Sequence, residues 1–379
     1  MDLAFTQEEE AFRAEARAWL AAHVPGAALP SLETAEGFAA HRAWEAELAA
    51  DRWSVVNWPV EYGGRGADLV RWLLFEEEYW SAGAPGRVGQ NGISLLAPTL
   101  FDHGTEEQRA RVLPSMATGE VVWAQAWSEP EAGSDLASLR SRARRTDGGW
   151  LLSGQKTWSS RAAFADRAFG LFRSEPDLPK PHQGLTYLMF DLRAPGVTVR
   201  PIGRLDGKPA FAELFLDEVF VPDEDVIGEP GQGWRIAMST AGNERGLMLR
   251  SPGRFLAAAE ALRTLWTDRG SPRHEEDRVA DALIGARAYQ LFTHAAASRF
   301  LEGDPLGAES SLNKVFWSEL DLALHETALD LLGEEGEFAD TPWSEGYVFS
   351  LAGPIYAGTN EIQRDIIAER LLGLPKGRR

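Results

Sequence analysis

The chain has 379 residues, 44% of them hydrophobic and 25% charged, and a formal net charge of −19. This charge disfavours sequence-independent binding to nucleic acid or to an anionic membrane, because neutralising phosphates requires a basic surface. The absence of cysteine excludes disulfides, thiolate catalysis and cysteine-based metal sites, and we expect a cytoplasmic protein.

The first third of the chain is predicted to be helical. Thr6 and Glu9 have the spacing of a capping box, and apolar residues follow them at intervals of three to four. This acidic start has neither the basic nor the apolar region of a signal peptide, and no stretch approaches 18 uninterrupted apolar residues. We therefore expect neither secretion nor a membrane span. Further helical patterns lie around residues 36–51, 67–82 and 105–117.

A change of period marks a sheet domain that begins at about Val121. Four runs rich in β-branched and aromatic residues are separated there by turn sequences: WLLSGQKTW, LTYLMFDL, VTVRPI and AELFLDEVFVP. After GEPGQGW the helical period returns, and RGSPRHEEDR, residues 269–278, is predicted to be an exposed, solvated loop. The predicted class is α+β, with helices over residues 1–121, a β domain over 122–232 and helices over 233–379.

Two motifs in the sheet domain carry a resemblance to a known family. They are AWSEPEAGSD, residues 126–135, and GQKTWSS, residues 154–160. Each alone is common turn chemistry, in which Ser134 or Asp135 is suited to cap a turn or a helix. Together they resemble the two flavin-binding signatures of the acyl-CoA dehydrogenase family. The segments WPVEYGGRGA, GTEEQRARVLPSMATGE and ERLLGLP extend the resemblance over nearly the whole chain.

The resemblance implies a fold and an activity. The fold is a helical N-terminal domain, a middle β domain and a C-terminal four-helix bundle, with FAD between the last two, no metal, and assembly as a homotetramer or dimer. The activity is oxidation of an acyl-CoA or acyl-carrier-protein thioester to the trans-2-enoyl thioester, with electrons passed to an electron-transfer flavoprotein. Chain length, branching, carrier and pathway stay open.

The resemblance also assigns cofactor contacts in both motifs. Trp158 matches the tryptophan that stacks on the isoalloxazine ring, and a core tryptophan is the alternative in a chain that has 14 of them. Ser128 and Ser160 match hydroxyl positions near the ring, where hydrogen-bond donors favour the reduced, anionic flavin. Ser134 matches the position that reaches the FAD phosphates or the pantetheine arm. The other expected cofactor contacts here are Gln125, Trp127, Gly133 and Ser159.

The C-terminal segment GPIYAGTNEIQRDIIAER resembles a third signature of the family. In it, Tyr356 and Gly358 would line the thioester, while Thr359 and Glu361 would face the cofactor. The best-known members place a catalytic glutamate directly before the glycine, where this chain has Ala357. A methyl group accepts no proton, but the backbone N–H of Ala357 would still donate to the thioester carbonyl, as it does in the family.

The expected catalytic base therefore lies elsewhere. Removing the α-proton of a thioester requires a carboxylate within hydrogen-bond reach of that carbon. Some members, isovaleryl-CoA dehydrogenase among them, supply it from the first helix of the C-terminal bundle as a Glu-Arg pair, and often accept branched or bulky acyl groups. The chain offers Glu244 and Arg245 at the matching place, as base and substrate contact respectively. The alternative is a surface ion pair, which contributes little to stability.

Two segments depart from the family pattern. Many members hold the FAD diphosphate across the dimer interface with Arg-x-x-Phe-Gly and Gln-x-x-Gly-Gly stretches. The first is missing from RGSPRHEEDR, and DLLGEEGEF replaces the second, with Asp330 and Glu334 at the expected polar and glycine positions. Carboxylates near a diphosphate are unfavourable unless they turn away. Two alternatives stay open: a related flavin oxidase or monooxygenase, and a non-catalytic subunit of a hetero-oligomeric dehydrogenase.

Overall fold

The computed structural model describes residues 4–245, 251–304, 307–338 and 341–376, the side chains of 242–245 excepted. The chain divides into two compact units. The sheet unit comprises Ala27–Gly66 and Pro85–Glu244, and the helical unit comprises Met1–Gly26, Ala67–Ala84 and Arg245–Arg379. Within the described ranges, no helix combines the length and the apolar character that crossing a lipid bilayer requires. The predicted domain boundaries after residues 121 and 232 stay predictions.

Helices and strands follow the predicted order of helices, sheet and helices. The helices are α1 Gln7–His23, α2 Ala35–Ala50, α3 Leu69–Ser81, α4 Ala97–His103, α5 Glu106–Ala117, α6 Gly233–Arg245, α7 Pro252–Asp268, α8 Glu276–Leu301, α9 Glu309–Leu332, α10 Pro342–Ser350 and α11 Asn360–Ile366. The strands are β1 Trp123–Ala126, β2 Arg142–Thr146, β3 Gly149–Ser160, β4 Arg167–Arg173, β5 Leu185–Asp191, β6 Val197–Ile202, β7 Phe211–Pro222 and β8 Val226–Ile227.

The strands of the described chain form one sheet in the order β6–β7–β3–β2–β4–β5–β8, and β1 pairs with β4. β4 runs parallel to β1 and β2, whereas the other neighbours are antiparallel. Gly170 of β4 lies so close to β1 that an added Cβ would stand 2.4 Å from the Ala126 carbonyl oxygen. A glycine is therefore needed where the first motif leaves the sheet.

Local sequence signals account for most helix starts. The predicted capping box is present: Glu9 N–H donates to the Thr6 hydroxyl, and the Glu9 carboxylate accepts from the Thr6 N–H. The three helical patterns predicted further along the N-terminal third correspond to α2, α3 and α5. Side chains of Thr34, Asp68 and Thr105 cap these helices.

Elements without a clear period were missed. β2 has the sequence RARRT, with only Ala143 buried, so alternation gives it no apolar face. β4 is buried continuously from Ala168 to Phe172, and a short apolar run of this kind does not distinguish strand from helix. The loop predicted over 269–278 is wrong at its end, because α8 begins at Glu276.

The core of the helical unit is aromatic and lies among α7, α8 and α9. The Phe255 ring centroid lies 5.5 Å from that of Tyr289 and 6.4 Å from that of Trp317, and all three side chains are buried. Each such burial contributes about 1.5–3 kcal/mol to stability. Tyr356, from the third motif, packs against this core with its ring centroid 5.7 Å from that of Trp317. The core therefore fixes the start of the turn that contains Ala357.

Candidate active site

The sheet unit presents Trp158 from an irregularity in β3. The pairing of β3 with β7 shifts register between Lys156 and Ser159, and Trp158 has a φ of +58°. This backbone conformation is rare for a bulky residue, and such strain clusters at functional sites. The Trp158 side chain is 60% exposed, and its ring lies edge-to-face with that of Phe211 at a centroid distance of 5.8 Å. The alternative of a core tryptophan is therefore wrong.

Three buried polar groups in or beside the two motifs have no hydrogen-bond partner in the described part of the chain. The motifs are joined by a hydrogen bond of 2.9 Å from the Thr157 N–H to the Ser128 carbonyl. Among the described residues, the buried atoms Gln125 Nε2, Trp127 Nε1 and Ser159 Oγ have no hydrogen-bond partner. Buried polar groups in folded proteins almost always have one. An isoalloxazine ring offers an aromatic plane and several acceptor atoms, so this part of the sheet unit fits FAD.

The remaining cofactor contacts expected in the first two motifs are at least partly accessible. Ser128 and Ser160 are half-buried, whereas Gly133 and Ser134 are exposed. The loop that continues from Ser134 is held by Arg173, whose Nη2 donates to the carbonyls of Ala137 and Leu139 at 2.9 and 3.1 Å. Carbonyl groups carry no net charge, so these hydrogen bonds do not neutralise the positive charge of the guanidinium. Arg173 therefore adds positive potential to the loop expected to meet phosphate or pantetheine.

A buried ion pair underlies both motifs, and the sequence interpretation assigned it no role. The Lys156 side chain is fully buried, and its Nζ donates to Glu129 Oε1 at 2.9 Å and to the Leu171 carbonyl at 2.7 Å. The Glu129 carboxylate also accepts from the N–H groups of Arg140 and Ser141, at 2.6 and 2.9 Å. Four segments of backbone thus converge on two charged side chains.

The surroundings of this pair shift both pKa values. Burial lowers the pKa of Lys156 to about 8, against the opposing effect of the Glu129 charge. Burial alone would raise the pKa of Glu129, but the Lys156 charge and the hydrogen bonds from Lys156, Arg140 and Ser141 hold it below its ordinary value. The carboxylate is therefore ionised at neutral pH, and it needs its cation.

The helical unit supplies the turn predicted to face the thioester. Ala357 is buried and has a φ of +56°, and Gly358 follows with a φ of +79°. No described residue accepts a hydrogen bond from the Ala357 N–H. Orphaned N–H groups of buried residues are rare in proteins. This donor is therefore available to a ligand, as the expected contact with the thioester carbonyl requires.

The end of the turn starts α11. Thr359 Oγ1 accepts from the Ile362 N–H at 3.3 Å and so caps the helix, which leaves its hydroxyl proton for another partner. Glu361 is exposed, and hydrogen bonds from its own N–H and from Thr359 lower its pKa. Tyr356 is half-buried on the aromatic core. The structure thus brings Tyr356, Ala357, Gly358 and Thr359 together in one short turn.

The expected base and its neighbour lie at the C-terminal end of α6. Glu244 and Arg245 are the last two residues of this helix. Their side chains lie outside the described residues, so their role stays a prediction.

The two segments that depart from the family pattern pair with each other. Arg269, just after α7, forms an ion pair with Glu335, and Arg278 of α8 forms one with Asp330 of α9 at 2.6 Å. Asp330, Glu334 and Glu335 are exposed. Within this chain, these arginines are therefore engaged by carboxylates at the positions where the family holds the FAD diphosphate.

Comparisons with known proteins cover the whole chain. Family models described as the N-terminal, middle and C-terminal domains of acyl-CoA dehydrogenase match residues 6–120, 124–219 and 231–372. Acyl-CoA dehydrogenase IpdE1 of Mycobacterium tuberculosis is 38% identical, over 98% of this chain and 99% of that protein.

Solved structures also match the whole chain. The structure titled Tcur3481-Tcur3483 steroid ACAD superposes with a TM-score of 0.86 at 26% identity, over 100% of each chain. The ChsE4-ChsE5 complex from Mycobacterium tuberculosis superposes with a TM-score of 0.84 at 28% identity, again over 100% of each chain.

Proposed function

This chain belongs to the acyl-CoA dehydrogenase family of oxidoreductases and has its fold, and from that premise we propose FAD-dependent α,β-dehydrogenation of an acyl thioester. The product is the trans-2-enoyl thioester. FAD, when bound, accepts the β-hydrogen as hydride and passes the electrons on, and we propose an electron-transfer flavoprotein as the acceptor. The presentation of Trp158 is the observation that most supports this proposal.

Residues of the sheet unit would bind and orient the cofactor. Trp158 supplies an exposed aromatic plane, and its strained backbone keeps the indole out of the core. Ser128 and Ser160 supply hydroxyl donors, one from each motif. The hydrogen bond from the Thr157 N–H to the Ser128 carbonyl joins these two motifs. Gln125, Trp127 and Ser159 supply buried polar atoms, while Gly133 and Ser134 supply an accessible loop.

Residues at the end of α6 and in the third motif would act on the thioester. We assign removal of the α-proton to the carboxylate of Glu244, and contact with the substrate arm to Arg245. The Ala357 N–H would donate to the thioester carbonyl and stabilise the negative charge that develops on its oxygen, a type of contact worth roughly 3–4 kcal/mol. Tyr356 and Gly358 would line the same group, and Thr359 and Glu361 would face the cofactor.

The test is anaerobic titration of the yellow protein with a panel of straight, branched and polycyclic acyl-CoAs. We expect at least one of them to bleach the flavin absorbance near 450 nm at substoichiometric to stoichiometric amounts. Subsequent exposure to air should restore the colour slowly. Rapid reoxidation in air would favour an oxidase or monooxygenase, and no bleaching by any thioester would contradict the dehydrogenase proposal.

The acyl group that we propose is branched or bulky. Support comes from the base position at Glu244, which leaves the small Ala357 in the turn where other members carry a glutamate. The structural relative described as a steroid ACAD points the same way. In the titration, polycyclic or branched acyl-CoAs should therefore bleach the flavin faster than straight-chain ones of similar mass.

A second candidate is a subunit that completes its cofactor site only with a different chain. The ion pairs Arg269–Glu335 and Arg278–Asp330 support it, because they engage the segments that would otherwise hold a diphosphate. The two structural relatives, Tcur3481-Tcur3483 and the ChsE4-ChsE5 complex, each carry two protein names. Assembly of either kind is supported by exposed apolar side chains in the helical unit: Ile284, Leu291, Phe292, Leu312 and Phe316.

FAD content after purification distinguishes the two assemblies. The homo-oligomer predicts about one FAD per chain for protein expressed alone. The second candidate predicts colourless or substoichiometric protein, with FAD retained only after co-expression with a homologous chain. Light scattering on both preparations checks the assembly. Full FAD occupancy in a homo-oligomer would exclude the second candidate.

A further inference from the structure

Gln363 holds the turn that contains Ala357. This side chain of α11 is fully buried, and its Nε2 donates to the carbonyl oxygens of Ala357 and Gly358, at 3.0 and 3.4 Å. Both partners are acceptors, so the site requires a donor, and a glutamate carboxylate of the same shape would face two carbonyls without a proton to offer. This arrangement of one amide donor and two carbonyl acceptors lies within the chain, so it does not depend on which ligand the protein binds.

The backbone conformation of Ala357 relates the direction of its N–H to the direction of its carbonyl, which accepts from Gln363. In helical backbone of either hand, the N–H and the C=O of one residue point in opposite directions along the axis. Ala357 has a φ of +56°, in the left-handed region, which is strained for a residue with a Cβ and needs surrounding contacts to hold it. A donor fixed on its carbonyl therefore directs its N–H away from Gln363, and no described residue accepts from that N–H.

The base of α11 is itself anchored. Asn360 Oδ1 accepts from Lys314 Nζ at 2.7 Å and from Ser318 Oγ at 3.1 Å, and its N–H donates to the Pro354 carbonyl at 2.9 Å. Lys314 and Ser318 belong to α9 and are fully buried. Gln363, one turn along α11, therefore acts from a fixed support.

We propose that Gln363 is a positioning residue that sets the direction of the Ala357 N–H toward the thioester carbonyl. The inference rests on the proposed dehydrogenase function. Gln363 acts only through the backbone of the turn, so it changes the polarisation of the carbonyl and not the presence of the cofactor or the base.

The test compares Gln363→Leu and Gln363→Glu with wild type and with the control Gln290→Leu. Gln290 is a buried glutamine of α8 in the same unit, and its amide contacts Glu77 and Arg287 rather than the turn. We expect both Gln363 variants to keep their FAD and to bind substrate within threefold of wild type, while the limiting rate of flavin reduction falls about 10–100-fold. The control should stay within threefold for both quantities.

A second readout follows the carbonyl directly. An acyl-CoA with sulfur at the β-position cannot transfer hydride, and a 13C label at its thioester carbonyl makes the stretching band visible by difference infrared spectroscopy. Binding to wild type and to Gln290→Leu should lower the band frequency, because the Ala357 N–H donates to the oxygen. In both Gln363 variants most of that shift should be lost.

The outcomes separate the two claims. If wild type is reduced by acyl-CoA, but Gln363→Leu matches it in both rate and carbonyl shift, the positioning role is wrong and the dehydrogenase function stands. Equal losses in Gln290→Leu would also overturn it, since they would show a general effect on the fold. If no thioester reduces the wild-type protein, the proposed function fails, and the inference fails with it.

Discussion

Glu244→Gln is expected to fold, bind FAD and stay yellow, while flavin reduction by its best acyl-CoA falls by roughly 10²–10⁴-fold. The amide has the same shape as the carboxylate but accepts no proton from the α-carbon. Rapid-mixing measurements under anaerobic conditions give the rate of bleaching at 450 nm, and the unreduced spectrum reports FAD content. A wild-type rate in this variant would show that another group removes the proton.

Glu361 is the nearest alternative in the third motif, and its surroundings argue against it. It is exposed, and hydrogen bonds at the start of α11 hold its pKa below the ordinary value, which makes it a weaker base than an unperturbed glutamate. Glu361→Gln is therefore the matched control, with an expected change in the reduction rate of less than tenfold. A larger loss there than in Glu244→Gln would exchange the two assignments.

The turn offers a rescue experiment for the same prediction. Other family members place the base at the position of Ala357, where the backbone already holds a residue with a Cβ despite its φ of +56°. We expect Ala357→Glu in the Glu244→Gln background to recover part of the lost rate, most visibly with small straight-chain substrates, because the new side chain occupies space beside the thioester.

Features that are encoded in a short stretch of sequence could be predicted. A capping box, a helical period or the spacing of a flavin signature is encoded within about 20 residues, so the helix α1 was predicted correctly, and the motif singled out Trp158, which the structure leaves exposed. The single-residue shift that turns Trp158 outward is a property of β3 pairing with β7, some 55 residues away along the chain. A sequence motif therefore identifies such a residue but does not predict the direction of its side chain.

Contacts between distant segments account for what was missed. Arg269 pairs with Glu335 across 66 residues and Arg278 with Asp330 across 52, so neither segment alone indicates that the other neutralises it. Lys156 did leave a signal. In the predicted strand it shares a face with the buried Trp150 and Leu152, and a lysine on an inward face needs a buried partner.

Lys156→Met is expected to lower the free energy of unfolding by about 3–5 kcal/mol and to release FAD more readily. The reason is that the Glu129 carboxylate stays charged and buried but loses the ammonium group that offsets its charge. The control is Lys208→Met, in which the lysine is half-buried and 3.7 Å from Asp206, a carboxylate that also pairs with Arg204. Because Asp206 keeps that partner, the expected loss there is below about 1 kcal/mol. Urea unfolding and FAD release on dilution measure the two effects.

The double variant Lys156→Met with Glu129→Gln separates charge from packing. Removing both charges leaves no unpaired ion in the core, so its loss should be smaller than that of Lys156→Met alone, and equal or greater loss would contradict the charge argument.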